Sequence, residues 1–353
     1  MKSNKVTLLK EQEVIEKSSA EENKLAEEVR LLNEQIQSLS EKVHEMEREL
    51  GWEHFTIKRL KRFVASRLNL KSLHAPTKPI FPPHYMKKIK LTKTPKLSIV
   101  TPSYNQGDYI EATIESIISQ DYPNLEYIVQ DGGSKDSTVN VLKNHDEEIL
   151  HWESKQDKGQ TNAINLGFQH ASGEIMAYLN SDDLLLPGAL NYIVNYFNEH
   201  PEVDVIYGHR ILIDSQGEEV GRWVLPRHDD KVLSFADFIP QETLFWRRSI
   251  WEKVGGSLDE SFRFAMDWDL IVRFRDAGAK FVRLPRFLGA FRVHQLQKSS
   301  ALINDLGEKE MTIIRQRCAG RRLFRSEINK AVKNYLLKHV ICQKLYRFKL
   351  LRY

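Results

Sequence analysis

The sequence predicts an α/β fold: a mainly parallel wound sheet over residues 95–300, preceded by an α-helical coiled coil and followed by a basic helical tail. Three observations predict it. Between Leu97 and Leu179, short apolar runs of strand length alternate with amphipathic runs of helical period. The polar loops TPSYNQGD, DGGSKDS and NSDD each follow a strand-like run. They therefore gather at one edge of such a sheet, where wound sheets bind their ligands. Outside this region the apolar residues change period, to heptads before it and to near-helical spacing after it.

The 353 residues are 41% apolar and 28% charged, enough for a large core with polar appendages. Net charge is only +4, but the charges are segregated. Residues 11–50 hold 12 acids and 5 bases, and residues 52–96 hold 12 bases and 1 acid. Residues 97–310 hold 34 acids and 20 bases, and residues 311–353 hold 12 bases and 1 acid. Blocks of this kind suit an electrostatic partner. Nucleic acid is not that partner, because the central domain is acidic and carries no nucleic-acid-binding motif. Cys318 and Cys342 are too few for a disulfide framework and lack zinc-ligand spacing, which fits a reducing compartment. No apolar stretch reaches signal-peptide or membrane-spanning length. The expectation is a cytoplasmic protein, in solution or peripheral on the inner face of the membrane.

The elements follow in order. Leu25, Val29, Leu32, Ile36, Leu39, Val43, Met46 and Leu50 step by four and three without a break, a coiled-coil seam within residues 1–50. β-branched residues at a and mostly Leu at d favour a parallel homodimer, with a trimer and a helix folded back on its own domain as alternatives. Residues 51–94 read as a basic helix (IKRLKRFVASRLNLK) and a linker broken by Pro76, Pro79, Pro82 and Pro83. Strands are then expected at 97–101, 125–130, 149–153 and 174–179, with helices at 109–120, 136–145 and 161–171. After residue 200, VDVIYG and the RILID-SQGE-EVGRW hairpin, then FVRLP and FLGAFRVH, add strands around one helix at 267–278. Residues 301–353 form a basic amphipathic tail with an apolar stripe at Leu323, Ile328, Val332, Tyr335, Leu336, Val340 and Leu345. Such a stripe either lies on an anionic membrane surface or packs on the domain.

The motifs resemble one family. SIVTPSYNQGDYIEATIESIISQDYPNLEYIVQDGGSKDST is similar to the opening of a family 2, GT-A-fold glycosyltransferase. DKGQTNAINLGFQHASGEIMAYLNSDDLLLPGAL continues it, and QETLFWRRSIWEKVGG, MDWDLIVRF and FRVHQLQKS complete it. The resemblance covers about residues 95–300 and leaves out the coil and the tail. It implies transfer of a sugar from a nucleotide-diphosphate sugar, a UDP-sugar by preference, to a saccharide or lipid-linked saccharide, with inversion. A nucleotidyltransferase, or a coiled-coil scaffold carrying an inactive domain, are the alternatives.

The residues support this chemistry on physical grounds. Cleaving the sugar–phosphate bond leaves an extra charge on the diphosphate, which something positive must meet. The chain has no phosphate-cradling glycine loop with a lysine, and carboxylates holding Mn2+ or Mg2+ are the other solution. Asp182 and Asp183, directly after the fourth strand, are the metal candidates, although Asp183 also suits a helix cap. The resemblance adds His294 as a further metal ligand or a surface histidine. Family members often have Asp where Asn180 stands, so Asn180 and Ser181 are assigned to the ribose and sugar. Asp131 resembles the family carboxylate that accepts from the uracil imide, with Thr101, Pro102 and Tyr104 enclosing the base and Asp157 nearby. Asp131 alternatively belongs to an ordinary strand-to-helix turn. Asp267 matches the family's catalytic base, with Asp269 the alternative and Met266 replacing a usual Glu. Trp268 is expected to stack on the acceptor sugar, and Gln241 to contact it.

Overall fold

The computed structural model describes residues 73–87, 89–293 and 306–353. The expected coiled coil, the basic helix up to residue 71 and His294 lie outside the described residues.

The first half follows the alternation in the sequence. After β1 (Leu73–Thr77) come β2 (Leu97–Ser103), α1 (Ile110–Ile118), β3 (Leu125–Asp131), α2 (Thr138–Asn144), β4 (His151–Ser154), α3 (Gln160–Gln169) and β5 (Ile175–Tyr178). β4, β3, β2 and β5 lie side by side in that order, all parallel. Every residue of β2 is buried, which is why its sequence is a continuous apolar run rather than an alternating one. In α1, Ile110, Thr113, Ile114 and Ile117 recur at the helical period and point into the core. Helix α3 crosses β2 so closely that a Cβ on Gly167 would lie 2.4 Å from Val100 Cγ1, so only glycine fits there.

The second half extends this sheet with mixed pairing. It comprises β6 (Leu184–Leu185), α4 (Ala189–Glu199), β7 (Val205–Ile213), β8 (Glu219–Trp223), α5 (Asp230–Leu233), β9 (Phe245–Arg247), α6 (Arg248–Lys253), α7 (Met266–Asp276) and β10 (Phe281–Arg292). β9 runs antiparallel between β5 and β7, and β10 runs parallel along β7. FVRLP and FLGAFR, read as parts of two strands, belong to the single strand β10; its register shifts between Arg283 and Phe287, around Pro285, which cannot donate to the ladder. β8 forms the expected hairpin with β7, and β1 adds to β8 from within the proline-rich segment that was read as linker.

The tail is two helices, α8 (Glu308–Ala319) and α9 (Arg325–Arg347), separated at Gly320, whose φ is +68°. Ile328, Val332, Tyr335 and Leu336 of the expected stripe are buried against the domain, whereas Leu323, Val340 and Leu345 are only partly covered. Tyr335 meets Phe238 with centroids 4.4 Å apart. Burial pulls the His339 imidazole down to about 3, so it is neutral and accepts from the Trp223 indole at 2.7 Å. Among the described residues, no helix is long and apolar enough to cross a membrane.

Candidate active site

The acidic loop begins where β5 ends. The Asp183 amide donates to the Asn180 carbonyl at 3.1 Å, closing a tight turn. That turn sends the two aspartates to different places. Asp183 is buried, and its Oδ1 accepts the Arg292 amide at 3.0 Å. Burial, then the nearby Asp182 and Glu242 charges, raise its carboxyl well above the usual 3.8. Asp182 is half-buried, and its carbonyl accepts from Arg292 Nε at 2.9 Å. Arg292 also donates to the Asp214 carbonyl and lies over the Tyr109 ring, so one guanidinium ties the loop to a hairpin and to the entry of α1. Ser181 is buried in the turn.

Asn180 sits in an amide relay. Gln241 Nε2 donates to the Tyr178 carbonyl at 2.7 Å, which fixes the orientation of that buried amide. Gln241 Oε1 then accepts from Asn180 Nδ2 at 3.1 Å, and Asn180 Oδ1 accepts from Gln160 at 2.7 Å. Asn180 Nδ2 also reaches Asp183 Oδ2 at 3.3 Å. The relay needs a donor at position 180, which gives the asparagine a physical reason. Gln241, expected at the acceptor, is instead a buried support of this loop. Its neighbour Glu242 pairs with Arg210, whose guanidinium lies between the rings of Trp223 and Phe291.

The expected nucleotide side lies at the ends of β2, β3 and β4. Asp131 is fully buried, and four groups donate to its carboxylate: the Gly133 and Ser134 amides and the Ser134 and Ser154 hydroxyls. Three of them share Oδ2, while Oδ1 takes the Ser134 hydroxyl and keeps acceptor capacity. The carboxylate holds this loop mainly through Oδ2. Gly133, with φ +83°, allows the turn. Thr101 and Pro102 are buried beneath it, and Thr101 Oγ1 accepts from the Tyr127 phenol at 3.1 Å. Tyr104 is 60% exposed, and its ring and the Asp157 carboxylate flank Gly132, lying 3.3 and 3.0 Å from where a Cβ there would be. Tyr104 and Asp157 thus meet over the buried Gly132 at the sheet edge.

Asp267 lies in the first turn of α7, where the helix dipole favours a carboxylate. Its alternative, Asp269, is fully buried between Arg273 (2.8 Å) and Arg317 (2.6 Å), which makes Asp269 a scaffold residue. Trp268 is also fully buried, donates to the Leu233 carbonyl and lies under Arg315. The expected sugar stacking by Trp268 is corrected on this ground: neither ring face is open. The turn before Asp267 is held from two sides. Thr161 of α3 donates to the Phe262 carbonyl, while Glu310 of α8 accepts the Arg263, Phe264 and Ala265 amides, each at 2.8 Å.

The sequence reading missed Gln160, Arg292 and Glu310. Their partners lie 20 to 110 positions away, and only the RVH and DKGQ motifs hinted at two of them.

The mostly parallel wound sheet, with an acidic turn after β5, has the GT-A fold of nucleotide-sugar transferases. The sequence profile described as glycosyl transferase family 2 matches residues 98–254. An uncharacterised glycosyltransferase of Rickettsia typhi is 30% identical over 228 residues, covering 62% of this chain and 70% of that one. One from Mycobacterium tuberculosis is 30% identical over 187 residues, covering 52% and 70%. The fold matches S. aureus TarS residues 1–349 in complex with UDP-GlcNAc, with a TM-score of 0.54 and 17% identity over 72% of this chain and 75% of that one. Against the longer TarS structure the TM-score is 0.50, and the match spans 43% of that chain. The chain belongs to glycosyl transferase family 2.

Proposed function

We propose that the protein moves a sugar from a UDP-sugar to a hydroxyl of a saccharide or lipid-linked saccharide, with inversion and with Asp267 as the base. The observation that carries this reading is the division of labour within two aspartate pairs. In each, one carboxylate is tied into the scaffold, Asp183 by the Arg292 amide and Asp269 by two arginines. Beside the first, Asp182 is half-buried in the turn after β5; beside the second, Asp267 is buried in the first turn of α7. The TarS complex with UDP-GlcNAc supports a uridine donor through the shared fold.

A divalent cation fits the donor set. Among the described residues no group of three or more His, Cys, Asp or Glu side chains forms a cage. Asp182 nonetheless offers a hard oxygen beside the Asp183 and Glu242 acids, and Mn2+ or Mg2+ commonly binds one or two carboxylates and completes its shell with phosphate and water. When bound, the cation neutralises charge developing on the leaving diphosphate. Asp267 takes the proton of the acceptor hydroxyl as that oxygen bonds to the anomeric carbon and the carbon–diphosphate bond breaks. The strand ends that carry Tyr104, Asp131, Gly132 and Asp157 take the base, and Asn180 with Ser181 lies toward the ribose. A lipid-linked acceptor suits an enzyme peripheral on an anionic membrane, and the heptads suit a dimer.

UDP release from a donor panel, with and without Mn2+, tests the reading. Asp182→Ala is expected to abolish Mn2+-dependent UDP binding. Tight Mn2+ binding to the nucleotide-free protein would contradict the shared-shell argument.

A further inference from the structure

The buried stripe on α9 leaves a second face of the same helix outward. Ile328, Val332, Tyr335 and His339 point at the domain. At 100° per residue, Lys330, Lys333, Leu337 and Ile341 lie on the opposite side, and Phe348, directly after the helix, continues their line. Leu337 is 52% exposed, Ile341 46%, Phe348 46% and Leu350 54%. Lys330, Lys333, Lys338, Arg347, Lys349 and Arg352 are all exposed around them. A helix that only packs on a domain presents polar residues outward. Here apolar and basic side chains are interleaved, with Glu327 the one acid in residues 311–353, and that acid pairs with Arg321.

We infer that this outward face, rather than the stripe anticipated from sequence, docks the protein on an anionic lipid bilayer. Leu337, Ile341, Phe348 and Leu350 enter the headgroup–acyl boundary, and the lysines and arginines reach back to lipid phosphates. Charge complementarity selects this occupant. A second copy would set the same cationic face against itself. The acidic segment 11–50 matches the charge, but on the heptad reading most of its large apolar residues face a second strand, and only Val14, Ile15 and Leu31 fall outside that pattern. The inference deepens the lipid-linked acceptor reading above, but its test reads lipid binding alone, so its failure leaves sugar transfer untouched.

The test is flotation of the full-length chain with phosphatidylcholine vesicles and with mixed phosphatidylcholine–phosphatidylglycerol vesicles. The chain is expected to float with the mixed vesicles only, and less as salt rises. Lys330→Gln with Lys333→Gln is expected to weaken binding about fivefold per base removed. Leu337→Gln, Ile341→Gln and Phe348→Gln together are expected to abolish flotation while Tm and UDP binding stay parental, since these side chains are exposed. A chain that floats with neither vesicle type assigns the face to another occupant and overturns the inference. So does a triple variant that floats like the parent.

Discussion

Glu310→Gln tests how the proposed base, Asp267, is held. The Glu310 carboxylate is buried and accepts three amides from the turn before α7, Arg263 on one oxygen and Phe264 and Ala265 on the other. A glutamine keeps one acceptor oxygen, so its best orientation serves two amides and turns its own N–H2 toward the third. Hydrogen bonds to a charged group contribute about 1.5–3 kcal/mol each, and neutral ones about 0.5–1.5 kcal/mol. Losing one charged bond and weakening two costs about 3 kcal/mol, which lowers Tm by roughly 6–12 °C for a domain of this size. The loss is local: amide exchange at residues 263–265 accelerates while that of β2 does not. Because the turn leads directly into Asp267, kcat falls about tenfold or more with the donor KM little changed. Calorimetry, hydrogen exchange and steady-state kinetics on one preparation check all three. Parental Tm together with unchanged exchange at 263–265 would refute the reasoning.

Two further perturbations follow from the same contacts. Asn180→Asp replaces a donor with an acceptor opposite Gln241 Oε1 and Asp183 Oδ2, and Gln241 cannot turn because the Tyr178 carbonyl holds its amide. The variant is expected to lose about 2 kcal/mol in urea unfolding, and parental stability would count against the relay. Glu126, at the opposite end of the sheet, is desolvated by burial, but hydrogen bonds from Ser172, Ser98 and Lys96 outweigh that and bring its carboxyl to about 2. A lowered carboxyl stabilises the fold above its usual value of 4.5, and that contribution is lost as pH falls toward 2. The stability gap between parent and Glu126→Gln should therefore close on acidification, and a gap equal at pH 2 and pH 7 would exclude this linkage.

Much of the fold was legible because local pattern and tertiary role agree. β2, β3 and β5 are buried on both faces and read as apolar runs, and α1 carries its core residues at the helical period. β6 and β9 were not legible, since two or three residues show no period. β1 was hidden by Pro76, which an edge strand tolerates, and by the prolines that follow it. At the site, the sequence marks where chemistry gathers but not which carboxylate is tied into the scaffold. Asp182 and Asp183 look alike until the turn separates them, and Asp267 and Asp269 until Arg273 and Arg317 claim one. Trp268 read as a sugar platform because burial by α5 and Arg315 is set by residues far along the chain. Glu310 carries no motif of its own and Arg292 only the RVH motif; both bond largely to backbone, which leaves little pattern in side-chain identity.

The central claim is that Asp267 takes the acceptor proton while Asp269 only supports it. Asp267→Asn removes the base and keeps the shape of the turn. UDP binding with Mn2+, by calorimetry, should match the parent, while UDP release in the presence of donor and acceptor falls about 100-fold or more. An Asp267→Asn chain that turns over at the parental rate would contradict the account.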